Sequence, residues 1–243
     1  MKNLIIMKKL ALVLVLVLMV GSLFSQNKFP LIGAVAPSFE ANTTNGMLTF
    51  PDDFGDSWKI LFSHPRDFTP VCTSEALELA RMQDEFEELN TRVAIISTDD
   101  VKQHERWKES IESIEEGLDI RFPIIDDFGS DVSRKYGMVH QEEGELANVK
   151  DVRGVFFIDP DNIIQAIIFY PMKVGRNMKE VKRALIALQS VTPHRSAPVN
   201  WNPGDDFLVN HSPYLDPQLE GDSVLISEQY YNIGIMWYKR SNN

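Results

Sequence analysis

SHPRDFTPVCTSE, residues 63–75, places two prolines, a histidine, an arginine and the chain's one cysteine within thirteen positions, directly after an apolar run. WKILFSHP (58–65) reads as a buried strand ending at Pro65. TSEALELARMQDEFEELN (73–90) reads as a helix whose apolar stripe is Ala76, Leu77, Ala80, Met82, Phe86 and Leu89. Between them, Thr69 is a good N-cap and Pro70 suits the first helical position, where its missing N–H costs nothing. Cys72 then falls in the first helical turn. Unpaired backbone N–H groups and the positive end of the helix dipole favour a thiolate there, and a thiolate is a nucleophile. The competing reading is a cysteine that merely packs, since free cysteine is among the most buried residue types.

Outward from that loop, the chain reads as strand–helix units followed by a hairpin. RVAIIST (92–98) is a second buried strand, VKQHERWKESIESI (101–114) a polar-faced helix, FPIID (122–126) a short strand, and SDVSRKYG (130–137) a short helix closed by Gly137. VRGVFFID (152–159) and IIQAIIFY (163–170) flank Pro160-Asp161-Asn162 at hairpin spacing, and MKEVKRALIALQSV (178–191) is an amphipathic helix. These elements predict an α/β core with helices on both faces of a sheet. From Thr192 onward the texture changes to proline-rich sequence with Trp201 and Phe207 as apolar anchors. That segment is expected to pack on its own core or on a second subunit. The alternation in SVLISEQYYNIGIMWYKRSNN predicts a final strand.

With 243 residues and 44% hydrophobic content, the chain can bury a real core without disulfides. Its formal net charge of -11 argues against nucleic acid and anionic lipid as partners. Lys2, Lys8 and Lys9 precede the apolar run Leu10 to Val20, and small residues follow, the pattern of a secretory signal over residues 1–25 cut after Ser25. The run is about half the ~20 residues a membrane-spanning helix needs, so a permanent N-terminal anchor is the second reading. The mature chain is expected to be exported, periplasmic or extracellular, and not membrane-bound. A single cysteine in an exported chain forms no intrachain disulfide.

PRDFTPVCTSE resembles the active-site loop of the peroxiredoxins: Pro, three residues, Thr, two residues, Cys. GDSWKILFSHPRDFTPVCTSE, GRN (175–177) and APVNWNPGD (197–205) resemble the one-cysteine branch, over residues from about 30 to about 207. The resemblance implies a thioredoxin-like fold at 30–191, with a C-terminal extension at 192–243 that embraces the partner of a homodimer. It implies a thiol-dependent peroxidase acting on hydrogen peroxide and organic hydroperoxides, in antioxidant defence. Cys72 would be the peroxidatic nucleophile. Thr69 would hydrogen-bond the peroxide, Pro65 would shield the sulfur from water, and Arg153 would supply the cation beside it. His64, Glu75 and Arg176 are second-tier candidates for contact with the substrate. His64 competes with a purely structural histidine, and Glu75 with an acid that simply favours the helix dipole.

No second cysteine stands ready to condense with a Cys72 sulfenic acid, so an external thiol or thiol protein is the expected reductant. Glu75, not a cysteine, lies three residues after Cys72, which excludes a Cys-x-x-Cys disulfide exchanger. Some animal one-cysteine members also hydrolyse phospholipids through a Gly-x-Ser-x-Gly serine. Here Lys59 replaces the final glycine after Ser57, and Pro51 stands where the histidine is expected. The five histidines (64, 104, 140, 194 and 211) show no ligand-like spacing, and no glycine-rich phosphate loop is present, so no metal and no cofactor is expected. The non-enzyme alternative is a binding or chaperone-like envelope protein of the same fold in which Cys72 only packs.

Overall fold

The computed structural model describes residues 29–139, 150–215 and 223–241. The signal segment expected at 1–25 lies outside them.

A seven-stranded sheet forms the centre. Its strands are β1 (Phe39–Thr43), β2 (Gly46–Phe50), β3 (Trp58–Ser63), β4 (Thr91–Ser97), β5 (Ile124–Asp126), β6 (Arg153–Ile158) and β7 (Ile164–Tyr170), in the order β2-β1-β5-β4-β3-β6-β7. β3, β4 and β5 run parallel, joined by helical crossovers, while β6 and β7 form the antiparallel hairpin expected around Pro160-Asp161-Asn162. β3 and β6 are buried along nearly their whole length, which is why they read as continuous apolar runs rather than alternating ones.

The helices are α1 (Pro70–Glu88), α2 (Val101–Glu112), α3 (Asp131–Tyr136) and α4 (Met178–Ser190). Alternate strand residues feed two cores. Ile60, Phe62, Val93, Ile95, Val155 and Phe157 pack under α1, α2 and α4. Leu61, Ala94, Ile96, Phe156 and Ile158 pack under α3 and the β1–β2 hairpin. Helices therefore cover both faces, and the chain has the expected α/β, thioredoxin-like architecture. Leu79, absent from the predicted stripe of α1, is buried with it, whereas Leu77 and Leu89 are only partly covered.

Two regions differ from the sequence reading. The β1–β2 hairpin is an addition to it; Gly46 turns this hairpin at φ 98, a conformation that glycine adopts without a Cβ penalty. The tail forms its own four-stranded sheet from β8 (Arg195–Ser196), β9 (Phe207–Val209), β10 (Tyr230–Ile233) and β11 (Met236–Lys239), in the order β10-β11-β9-β8. The stretch SVLISEQYYNIGIMWYKRSNN, predicted as a final strand, does hold strand in the β10–β11 hairpin, but it opens with a helix, α5 (Ser223–Gln229). Only Ile226 of α5 is buried, a one-sided pattern that a single helical turn satisfies as readily as a strand. Trp201 and Phe207 do anchor this region, with ring centroids 5.1 Å apart, and Arg183 of α4 donates to the Trp201 carbonyl. Among the described residues no helix is long and apolar enough to cross a membrane.

Candidate active site

The site is built where β3 ends and α1 begins. Thr69 occupies the N-cap position with extended backbone, Pro70 is the first helical residue, and Cys72 sits in the first turn, 1% exposed. Phe68 precedes them at φ 55, a strained value for a bulky side chain, and it turns the chain from β3 into α1. The Thr69 side chain caps no helical N–H; its hydroxyl donates to the Arg66 carbonyl at 3.0 Å and keeps its lone pairs available. Pro65 is buried in the same loop.

The cation arrives from β6. Arg153 Nη1 lies 3.3 Å from Cys72 Sγ and 2.7 Å from Glu75 Oε2, while Nε and Nη2 donate to the Met172 carbonyl. Glu75, one turn beyond the cysteine, does more than favour the helix dipole: it bridges two arginines. Arg176 gives it a backbone N–H at 2.7 Å and two guanidinium contacts at 3.0 and 2.7 Å. Nη1 of Arg176 donates to the Ser63 and Gly154 carbonyls. Four of the five guanidinium N–H groups of Arg176 are engaged in this way, and it acts as a clamp on Glu75. Burial alone would push the Glu75 carboxyl up, but the hydrogen bonds and charge of Arg176, with the charge of Arg153, hold it below its usual range. One carboxylate and two guanidiniums leave a net positive charge facing the thiol.

His64 is 1% exposed and stacks on Trp107 at 4.8 Å. Its Nε2 lies 2.8 Å from Asp67 Oδ1, and its Nδ1 has no partner among the described residues. Burial holds its imidazole below the usual pKa, against the pull of Asp67. Asp67, His104 and Asp99 complete this buried group, and spacing alone did not reveal them: Asp67 and His104 are 37 residues apart. His64, Asp67 and Asp99 offer ligand atoms within 4.8 Å of one another, but hydrogen bonds account for their proximity. Ser57 donates to Asn90 Oδ1, not to a base, and Lys59 is buried with its Nζ on the Asp159 and Pro160 carbonyls. That corner has none of the parts of an activated serine.

A buried thiol at a helix N-terminus, faced by an arginine and unaccompanied by a second thiol, defines a thioredoxin-fold thiol peroxidase of the one-cysteine kind. Comparison with known proteins agrees. Residues 32–167 match the model of the AhpC/TSA family. A peroxiredoxin of Methanosarcina mazei is 47% identical over 186 residues, covering 74% of this chain and 84% of the relative. The mitochondrial peroxiredoxin of Saccharomyces cerevisiae is 43% identical over 182 residues, 73% of this chain and 70% of its own. Among solved structures, a yeast mitochondrial 1-Cys peroxiredoxin superposes with TM-score 0.75 at 37% identity, covering 87% of this chain and 99% of that one. A cysteine-to-serine mutant of peroxiredoxin 6 from Arenicola marina superposes with TM-score 0.76 at 32% identity, with coverage of 88% and 99%. The chain belongs to the AhpC/TSA family and is a one-cysteine peroxiredoxin, a thiol-dependent peroxidase of antioxidant function.

Proposed function

We propose that the Cys72 thiolate attacks the distal oxygen of a peroxide while Arg153 and the loop at 65–72 hold the two oxygens in line. The observation that carries this reading is the 3.3 Å approach of Arg153 Nη1 to Cys72 Sγ. As the S–O bond forms, the O–O bond breaks. The leaving oxygen departs with the bonding pair and takes a proton, giving Cys72–SOH and water or an alcohol. Arg153 stabilises charge first on sulfur and then on the leaving oxygen. The Thr69 hydroxyl, already donating to Arg66, accepts from the peroxide O–H, and the Cys72 backbone N–H adds a donor. Pro65 keeps water from the sulfur.

An external thiol then attacks the sulfenic acid, releasing water and leaving a mixed disulfide that a second thiol reduces. The related yeast structure concerns thiol resolution via glutathione/thioredoxin systems, and a reductant of that chemistry suits this chain. Two chains are proposed to form a homodimer: β7 is an edge strand of the large sheet, engaged on its outer side by Gly33 and Ala34 at Ile164, and farther along it Phe169 is 49% exposed. Residues 1–25 are proposed to direct export and to be removed.

Mass spectrometry of protein treated with one equivalent of peroxide and a sulfenic-acid trap tests the reaction. The trap is expected on Cys72 alone and is expected to disappear when glutathione or a thioredoxin precedes it. Absence of any adduct at Cys72 contradicts the reading. N-terminal sequencing of protein secreted by an expressing cell tests the cleavage: Gln26 is expected first.

A further inference from the structure

We infer that His104, acting through Asp67, is a positioning residue for the peroxidase loop, and that the Asp67–His104 pair holds one trapped proton that keeps Nδ1 of His64 bare. The inference rests on the peroxidase reading above. It follows from counting protons along one buried line. His104 Nε2 lies 3.0 Å from the Ile125 carbonyl, which can only accept, so Nε2 carries a hydrogen. His104 Nδ1 lies 2.7 Å from Asp67 Oδ2, with both side chains fully buried. That contact needs a further proton, on the imidazole or on the carboxyl, because a carboxylate facing a bare ring nitrogen repels it. The pair therefore contains one proton more than a neutral histidine and a carboxylate.

The other end of the line is fixed in consequence. Asp67 Oδ1 lies 2.8 Å from His64 Nε2. Burial would raise the Asp67 carboxyl, yet the hydrogen bonds from His104 and His64 outweigh it and hold it below the usual range. A carboxylate at Oδ1 takes the proton of His64 on Nε2, which leaves Nδ1 as a lone pair without a partner among the described residues. His64, Asp67 and His104 thus carry no net charge between them while making every contact but one.

Other groups pack against this line. Asp99 accepts from the Asp67 backbone N–H at 2.7 Å, from Ser97 Oγ and from Gln103 Nε2, with Arg66 3.8 Å away. Arg176 adds an unfavourable charge toward His64, and Trp107 stacks on its ring. The loop that carries Pro65 and Thr69 is therefore tied at Asp67 from three sides, by His64, by His104 of α2, and by Asp99 beyond β4. Removing the His104 donor leaves Asp67 Oδ2 buried with one contact fewer. The carboxyl then pulls His64 toward protonation or turns away, and the loop leaves the geometry set around the sulfur.

The test uses the full-chain reduced protein, wild type, H104F, H104Q and D67N. The second-order rate of Cys72 oxidation by hydrogen peroxide is measured from pH 5.5 to 8.5, beside 15N chemical shifts of the histidine rings. In wild type the His64 ring is expected as the Nε2–H tautomer, without titrating in this range. H104F is expected to oxidise about tenfold more slowly near pH 7. Its His64 shifts are expected to move toward the protonated form as pH falls, with the rate following the same curve. H104Q keeps a donor toward Asp67 and is expected within about threefold of wild type. If H104F does not fold, D67N, which keeps the volume of Asp67 but removes its charge, is expected to slow oxidation by a similar factor while its His64 ring stays neutral across the range. A wild-type rate no faster than a free thiol overturns the peroxidase reading itself. A fast wild type with unchanged rate, pH profile and ring shifts in H104F, or with an unchanged rate in D67N where H104F does not fold, overturns the role of the Asp67–His104 pair alone.

Discussion

Two buried clusters of acids flank the start of β6, and they resolve the same electrostatic problem in opposite ways. Beside the sulfur, Glu75 meets two arginines and is held as a carboxylate. Near α3, Asp127 and Asp151 meet no cation among the described residues. Ser133 Oγ lies 2.6 Å from Asp127 Oδ2 and 2.9 Å from Asp151 Oδ2. One hydroxyl hydrogen serves only one of those contacts. Burial pushes the Asp151 carboxyl well up, against the Ser133 hydroxyl, and the negative charges of Asp127 and Asp99 add to the rise. Burial also raises Asp127, against three hydrogen bonds from Val132 and Ser133. Cations beside the acid hold it ionised in a site fit for chemistry; without them burial pushes the acids up in a structural one.

The largest expected effect removes the cation at the sulfur. Arg153→Met is expected to slow peroxide oxidation of Cys72 by roughly 10²–10³, the usual cost of losing one charge-stabilising donor. A loss under threefold in stopped-flow kinetics assigns the stabilisation elsewhere. Next, Glu75→Gln leaves two buried guanidiniums without their carboxylate and is expected to cost about 3–5 kcal/mol of stability in denaturant unfolding. An unchanged midpoint removes Glu75 from the structural account.

The smallest effect contrasts the two clusters through pH. Asp151 is raised in the folded protein, so the native state binds a proton that the unfolded chain has released. Stability is then expected to fall as pH rises from about 4 toward the native value of Asp151. Glu75 is lowered, so its contribution is present above the ordinary glutamate range and is lost as pH falls below it. Asp151→Asn keeps the shape without the ionisation and is expected to flatten the alkaline decline, with a gain of roughly 1–3 kcal/mol at pH 8. A variant whose stability declines with pH as the wild type does shows Asp151 already ionised.

Much of the fold was legible because its signals are local. The buried strands are unbroken apolar runs, Pro160-Asp161-Asn162 marks the β6–β7 hairpin, and Gly137 ends α3 in a left-handed conformation at φ 70. Thr69, Pro70 and Cys72 were placed by the rules of helix starts alone. The β1–β2 hairpin escaped because its strands are five residues long and half polar, although Asn45-Gly46 was a turn signal that pattern reading can use. The tail misled because a short helix and a strand both tolerate one buried residue in seven. What no local rule supplies is the pairing of distant charges. Glu75 and Arg176 lie 101 residues apart, and only the β6–β7 hairpin and the turn into α4 bring them together.

Stopped-flow mixing of the reduced protein with hydrogen peroxide, following Trp fluorescence and thiol loss beside a Cys72→Ser control, tests the central claim most directly. The account predicts oxidation of one thiol per chain, far faster than a free thiol and absent from the control. A Cys72 that reacts no faster than a free thiol, with hydrogen peroxide and organic hydroperoxides alike, contradicts it.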